Sequence, residues 1–99
     1  MAGPVLELVV VDGRPTVRGE CDLLSAARIE AWLTSFEGQR VEVDLSGVTF
    51  FDSSALRAFL SAQRKKANIR IVEPSAAVLK VLDITGTAEY LVDGLDIVG

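Results

Sequence analysis

The chain alternates between two hydrophobic periods. From Val5 to Val11 apolar, mostly β-branched residues crowd a short stretch, which predicts a strand. Asp12-Gly13-Arg14-Pro15 is turn chemistry, with Asp-Gly suited to the positive φ of a tight hairpin, and Thr16 to Gly19 returns as a second strand. The period then lengthens. After Asp22, the residues Ala26, Ile29, Leu33 and Phe36 share one face of a helix that Gly38 terminates. Val41 to Leu45 predicts a third strand. Ser54 to Ala67 predicts a second helix, with Leu56, Phe59 and Leu60 along its apolar face, and Ile69 to Val72 a fourth strand. Pro74-Ser75 opens a third helix carrying Val78, Leu79 and Leu82 and ending at Gly86. A short turn (Ala88 to Leu91) and a last strand, Leu95 to Val98, complete the pattern.

An opening hairpin followed by alternating helices and strands implies an α/β fold, a mixed sheet covered by three or four helices. The strands at Val41 and Ile69 are joined through a helix, so they should be parallel. Ninety-nine residues suit one domain, 1–99, with a core that needs no disulfide or metal.

Composition narrows the function classes. The chain is 49% hydrophobic and 24% charged, as a rather apolar globular domain is. A net charge of -4 argues against general nucleic-acid binding, which draws on Lys and Arg to neutralise phosphates. Arg57, Arg64, Lys65, Lys66 and Arg70 form a local exception with no acidic residue between them. Such a run serves as a solvated basic helix end or as a patch for an acidic partner. Cys21 has no cysteine partner and reads as a small apolar core residue. The N-terminus has no basic region and its apolar run is broken by Glu7, unlike a signal peptide. No stretch approaches the ~18 apolar residues of a membrane span, so a cytoplasmic protein is expected. With no histidine, no metal-ligand spacing and no glycine-rich phosphate loop, the sequence gives no support for an enzyme, a cofactor or a nucleotide site.

The chemistry concentrates in Val43-Asp44-Leu45-Ser46-Gly47-Val48-Thr49-Phe50-Phe51-Asp52-Ser53-Ser54-Ala55-Leu56. It reads as a strand, a tight turn at Ser46-Gly47, an apolar approach and three consecutive cap-type side chains at a helix start. One cap satisfies the free N–H groups of a first helical turn. Ser54 is the natural cap, with Asp52 the alternative. A surplus serine beside an aspartate, at the positive end of a helix, is an address for a phosphate. Phe50 and Phe51 cannot both face inward on a regular strand, and Phe51 is the one expected at the surface beside Ser53, where an aromatic suits an interface. Taken with Trp32, the phenylalanines Phe36, Phe50, Phe51 and Phe59 read as core rather than a cofactor box, with Phe51 the one to expect exposed.

The stretch from Val43 to Leu60 resembles the signature of the STAS family, the bacterial anti-sigma factor antagonists. Gly19-Glu20-Cys21-Asp22 resembles that family's G-E-[apolar]-D, and Ile84-Thr85-Gly86 its threonine-glycine after the third helix. Ala55 stands where glycine is commoner in the family. Family members often end in a further helix, so the short segment beyond Gly94 implies a differently covered C-terminal edge.

The resemblance implies a STAS-like fold and a non-enzymatic signalling role. It places the phosphoacceptor at Ser53, with Ser54 a weaker candidate, and partner contacts at Asp22, Phe51, Asp52, Ser53, Ser54 and Arg57. Asp22 would otherwise serve as the cap of the first helix. The implied partner is an anti-sigma factor, a GHKL-type serine kinase that brings its own ATP. Phosphorylation would end the complex, a separate phosphatase would reset it, and the free protein would be a monomer. The alternative is a non-switched STAS subunit of a bacterial lipid-transport ATPase complex or of a stressosome-like scaffold.

Overall fold

The computed structural model describes residues 6–65 and 67–92. Its elements run β1 (Leu6–Val11), β2 (Arg14–Cys21), α1 (Ala26–Thr34), β3 (Arg40–Phe51), α2 (Ser53–Arg64), β4 (Asn68–Val72), α3 (Ala76–Thr85) and α4 (Ala88–Leu91). The strands form one mixed sheet in the order β1-β2-β3-β4. β1 and β2 are antiparallel, while β2–β3 and β3–β4 are parallel, with Val41 opposite Ile69. This is the expected α/β architecture. Ala88 to Leu91 closes into one helical turn rather than a simple turn. The strand expected at Leu95–Val98 lies outside the described residues.

Local chemistry explains the punctuation. Asp12 (φ 51°) and Gly13 (φ 80°) both take positive φ, and with Val11 paired to Arg14 they form a two-residue hairpin whose twist matches that of the strands. Gly86 stops α3 with φ 72°, a conformation that costs glycine little.

Two crossovers, β2-α1-β3 and β3-α2-β4, step in the same direction across the sheet. The right-handed path that such crossovers follow puts α1 and α2 on one face, where they pack against each other. Val17, Cys21, Val43, Leu45, Ile69 and Ile71 point into that face and are fully buried beneath Ile29, Leu33 and Phe59. Val78 and Leu82 of α3 join the same core, and Leu79, expected among them, is 39% exposed. On the other face lie Arg14, Arg18, Glu42 and Asp44, with no helix over them among the described residues.

β3 departs most from the sequence pattern. No turn forms at Ser46-Gly47; the strand runs unbroken for 12 residues. Its pairing with β2 passes from Thr16–Asp44 to Arg18–Gly47, and then from Gly19–Val48 to Glu20–Phe50. Each step inserts one extra residue on β3, a β-bulge that reverses which side chains face inward. The buried positions therefore run 41, 43, 45, 48, 51. Gly47 accommodates the irregularity, because a Cβ there would lie 2.9 Å from Cγ of Arg18.

The burial along β3 corrects the expectation for the two phenylalanines. Phe51 is 5% exposed and packs against Phe59, with ring centroids 5.9 Å apart, whereas Phe50 is 47% exposed. Two reversals cancel, so the odd-numbered positions that bury Val41, Val43 and Leu45 face inward again at Phe51, and the aromatic at the surface is Phe50.

Truncating the two should therefore separate cleanly in denaturant titrations. Phe51→Ala should cost ~3–5 kcal/mol by cavity formation, and Phe50→Ala no more than about 0.5 kcal/mol, as for a surface site.

Candidate functional site

Parallel strands β2 and β3 finish level with each other. Cys21 pairs with Phe51, and the Asp52 amide donates to the Cys21 carbonyl at 3.3 Å. The residues that follow, Asp22 and Asp52, therefore leave the sheet side by side at its carboxyl end, where open α/β sheets commonly place their binding surfaces.

Asp52 is the N-cap of α2. Its Oδ1 accepts the Ala55 N–H at 3.0 Å, and its carbonyl accepts the Leu56 N–H at 3.1 Å. The sequence left the cap between Ser54 and Asp52, and the backbone geometry decides for Asp52. Both serines are thereby released from capping. Ser53 is exposed, Ser54 is half-buried, and neither hydroxyl is engaged in a hydrogen bond among the described residues. Arg57 is exposed one helical turn beyond Ser53, on the same face of α2.

Asp22 does not cap α1. Its Oδ1 accepts from the Ser25 amide (3.1 Å) and the Ser25 hydroxyl (3.1 Å), while its own N–H donates to that hydroxyl (3.0 Å). These bonds hold a turn over 22–25, and α1 begins after it with Ser25 as N-cap and no side-chain cap bond. The reason is that the aspartate side chain accepts from the N–H three residues on and closes its own turn. The turn swings Leu23 and Leu24 into solvent, 72% and 92% exposed.

Leu23, Leu24 and Phe50 make an apolar surface bordered by Glu20, Asp22 and Asp52, together lining a shallow groove of about 300 Å³. Sequence reasoning missed all three apolar members. A signal existed for the leucines, since Leu23 and Leu24 fall outside the Ala26, Ile29, Leu33, Phe36 stripe and so have no place in the core. For Phe50 the signal was the alternation itself, since Val41, Val43 and Leu45 set the odd positions of the strand inward and leave Phe50 outside.

Beneath the groove, Cys21 is fully buried. Its thiol is pushed up from 9.0 to about 12, chiefly by burial and then by the charges of Asp22 and Asp52. The basic run does not form one patch. Lys65 pairs with Glu30 of α1 at 2.7 Å, Arg64 reaches Ser61 Oγ at 3.4 Å, and Arg70 donates to the Tyr90 carbonyl at 2.9 Å. Lys66 lies outside the described residues. Among the described residues no group of His, Cys, Asp and Glu could hold a metal ion, and no helix is long and apolar enough to cross a membrane.

The family model described as "Mlab, STAS domain" matches residues 10–93. The chain belongs to the STAS-domain family. Among solved structures it is similar to an anti-sigma factor antagonist from Mycobacterium paratuberculosis, at 22% identity over 95% of this chain and 89% of that one, with a TM-score of 0.68. It is also similar to an anti-sigma-factor antagonist (STAS) domain protein from Planctomyces limnophilus, at 16% identity over 87% and 86% of the two chains, with a TM-score of 0.58. No curated protein matches its sequence. At these identities the two structures establish a shared fold, and in this STAS domain the Asp-Ser-Ser turn opens α2 beside the G-E-C-D end of β2.

Two measurements follow from this geometry. Asp52→Ala should destabilise the domain by about 1 kcal/mol through loss of the cap, with Asp52→Asn and Ser54→Ala closer to wild type in urea melts. The Cys21 thiol ionises near 9.0 when unfolded and only near 12 when folded. Folding therefore favours the protonated form, and this contribution is complete below pH 9 and lost as pH rises toward 12. Stability measured across that window should fall more steeply for wild type than for Cys21→Ala.

Proposed function

We propose that this domain is an anti-sigma factor antagonist. It docks an anti-sigma serine kinase of the GHKL type through the surface at the ends of β2 and β3, and phosphorylation of Ser53 switches it off. The observation that carries the reading is the release of Ser53. Asp52 supplies the cap, leaving an exposed hydroxyl with no structural task at a helix start, next to an exposed apolar surface. The likeness to two anti-sigma factor antagonists supports the same reading.

Physical chemistry gives the switch its sign. A phosphate adds about -1.5 to -2 charges at neutral pH, and a helix N-terminus tolerates an anion, so the fold itself is little affected. The groove is already bordered by Glu20, Asp22 and Asp52. A partner suited to it brings an apolar anchor for Leu23, Leu24 and Phe50, flanked by Lys or Arg. Close packing then requires the phosphate to be desolvated, and a partner element placed to receive a neutral hydroxyl is repelled. The output is dissociation, which a phosphatase reverses. Asp22, Asp52, Ser54 and Arg57 border the contact, with Phe50 in the place first expected for Phe51. ATP belongs to the kinase, and the role is regulation of sigma-factor-dependent transcription, such as a stress response, in the bacterial cytoplasm.

The Mlab description of the matching family model favours keeping a second reading, a non-switched STAS subunit of a lipid-transport ATPase complex that uses the same surface constitutively.

Intact mass spectrometry after incubation with the candidate kinase and ATP tests the switch. Wild type should gain a phosphate-sized mass and leave the complex on a sizing column, while Ser53→Ala should do neither. Ser53→Asp should weaken kinase binding by about tenfold or more. Binding without mass gain, with Ser53→Asp as tight as wild type, would favour the constitutive subunit.

A further inference from the structure

We propose that the free edge of β1 pairs with β1 of a second copy of this chain, joining two sheets into one of eight strands. β1 is the first strand of the sheet, and among the described residues nothing pairs with its outer side. Natural edge strands are usually defended by lysine, proline, a bulge or a covering segment. Leu-Glu-Leu-Val-Val-Val has none of the first two, and its six-residue ladder with β2 runs without a register shift. The helices leave this edge uncovered, with Val10 58% and Val11 38% exposed, and these two valines alternate between the faces of the sheet.

The hairpin fixes which backbone groups are available. Val11 and Arg14 close a two-residue turn and so form a hydrogen-bonded pair, after which bonded and non-bonded pairs alternate. The peptide groups of Val11, Val9 and Glu7 therefore face β2, and those of Val10, Leu8 and Leu6 face outward. An antiparallel copy related by a two-fold axis normal to the sheet meets them best when the axis passes beside Leu8. Leu8 then opposes Leu8 of the second copy, and Leu6 opposes Val10 at either end. All three pairs exchange hydrogen bonds with apolar side chains on the helix-covered face. Moving the axis to Val9 would forfeit one of these pairs and set Leu6 against Asp12 of the turn.

Charge supports a second copy as the occupant. Glu7 is the one ionisable residue of the strand. In the Leu8-centred register it meets Val9 of the second copy, never the other Glu7, so no like charges oppose one another. The interface is isologous and closed. Leu6 pairs with Gly19, toward the end of β2 that carries the candidate site. The two sites of a dimer would consequently lie at opposite ends of the joined sheet, both accessible, and the proposal does not depend on what binds there.

Sedimentation equilibrium over a concentration series reaching about 1 mM should show wild type moving from one to two copies, as a small interface allows. Val10→Lys places a charge against Leu6 of the second copy and should raise the dimer dissociation constant at least about tenfold, with unchanged circular dichroism. Val9→Lys sets a lysine opposite Glu7 of the second copy on the open face, and should keep or tighten the dimer. A wild type that stays monomeric throughout overturns the proposal. A dimer insensitive to Val10→Lys, or equally weakened by both variants, overturns the assigned edge or register.

Discussion

β3 is 12 residues long, and opposite β2 it carries two residues more than regular pairing would accept. The bulges that absorb them set most of what happens at the carboxyl end of the sheet. They bring Phe51 level with Cys21, and because their two reversals cancel, Phe51 stays on the core side against Phe59 and Phe50 outside. They also deliver Asp52 to the position where its amide reaches the Cys21 carbonyl and its carboxylate reaches the Ala55 N–H. Removing either inserted residue would shift the following side chains to the opposite face. The groove depends on this register more than on any single contact within it.

The two aspartates beside that groove are occupied differently. Asp52 spends its carboxylate on α2, and Asp22 spends its own on a turn that precedes α1. Each interaction is local and ordinary. Their combined effect is to expose what lies next to them, the Ser53 hydroxyl in one case and the Leu23-Leu24 pair in the other. Exposure of two leucines and a phenylalanine around an acidic margin is costly in water unless something covers it at least part of the time. The thiol beneath is held protonated at neutral pH by burial and by the two carboxylates.

Among the described residues, the single layer of helices leaves the sheet with two unlike faces and an open first edge. The helix-covered face is apolar and continuous, whereas the other face carries charges that include the Arg14–Glu42 pair at 3.5 Å. A core built this way closes around β3 and β4, and the apolar character of β1 extends past the reach of the helices. The carboxyl ends of β2 and β3 and the outer side of β1 are thus separate surfaces, one defined by side chains and the other by backbone.

The sequence by itself determined the elements and their order. Apolar spacing placed α1, α2, α3 and the strands other than β3 within a few residues, Asp12-Gly13 set the hairpin, and Thr85-Gly86 set the end of α3, because these features depend on neighbours along the chain. It also placed Asp22, Asp52 and Ser53 at the ends of β2 and β3. Left to the folded structure was the choice between near-equals: Asp52 over Ser54 as the cap, and a turn rather than a helix cap for Asp22. The basic run likewise divides among Glu30, Ser61 and the Tyr90 carbonyl, on three different elements or their ends. The Lys65 and Arg70 outcomes rest on contacts between distant segments, and the bulges of β3 on its register against β2. Local periodicity carries no record of either, because a bulge is defined by the strand opposite and not by the residues it contains.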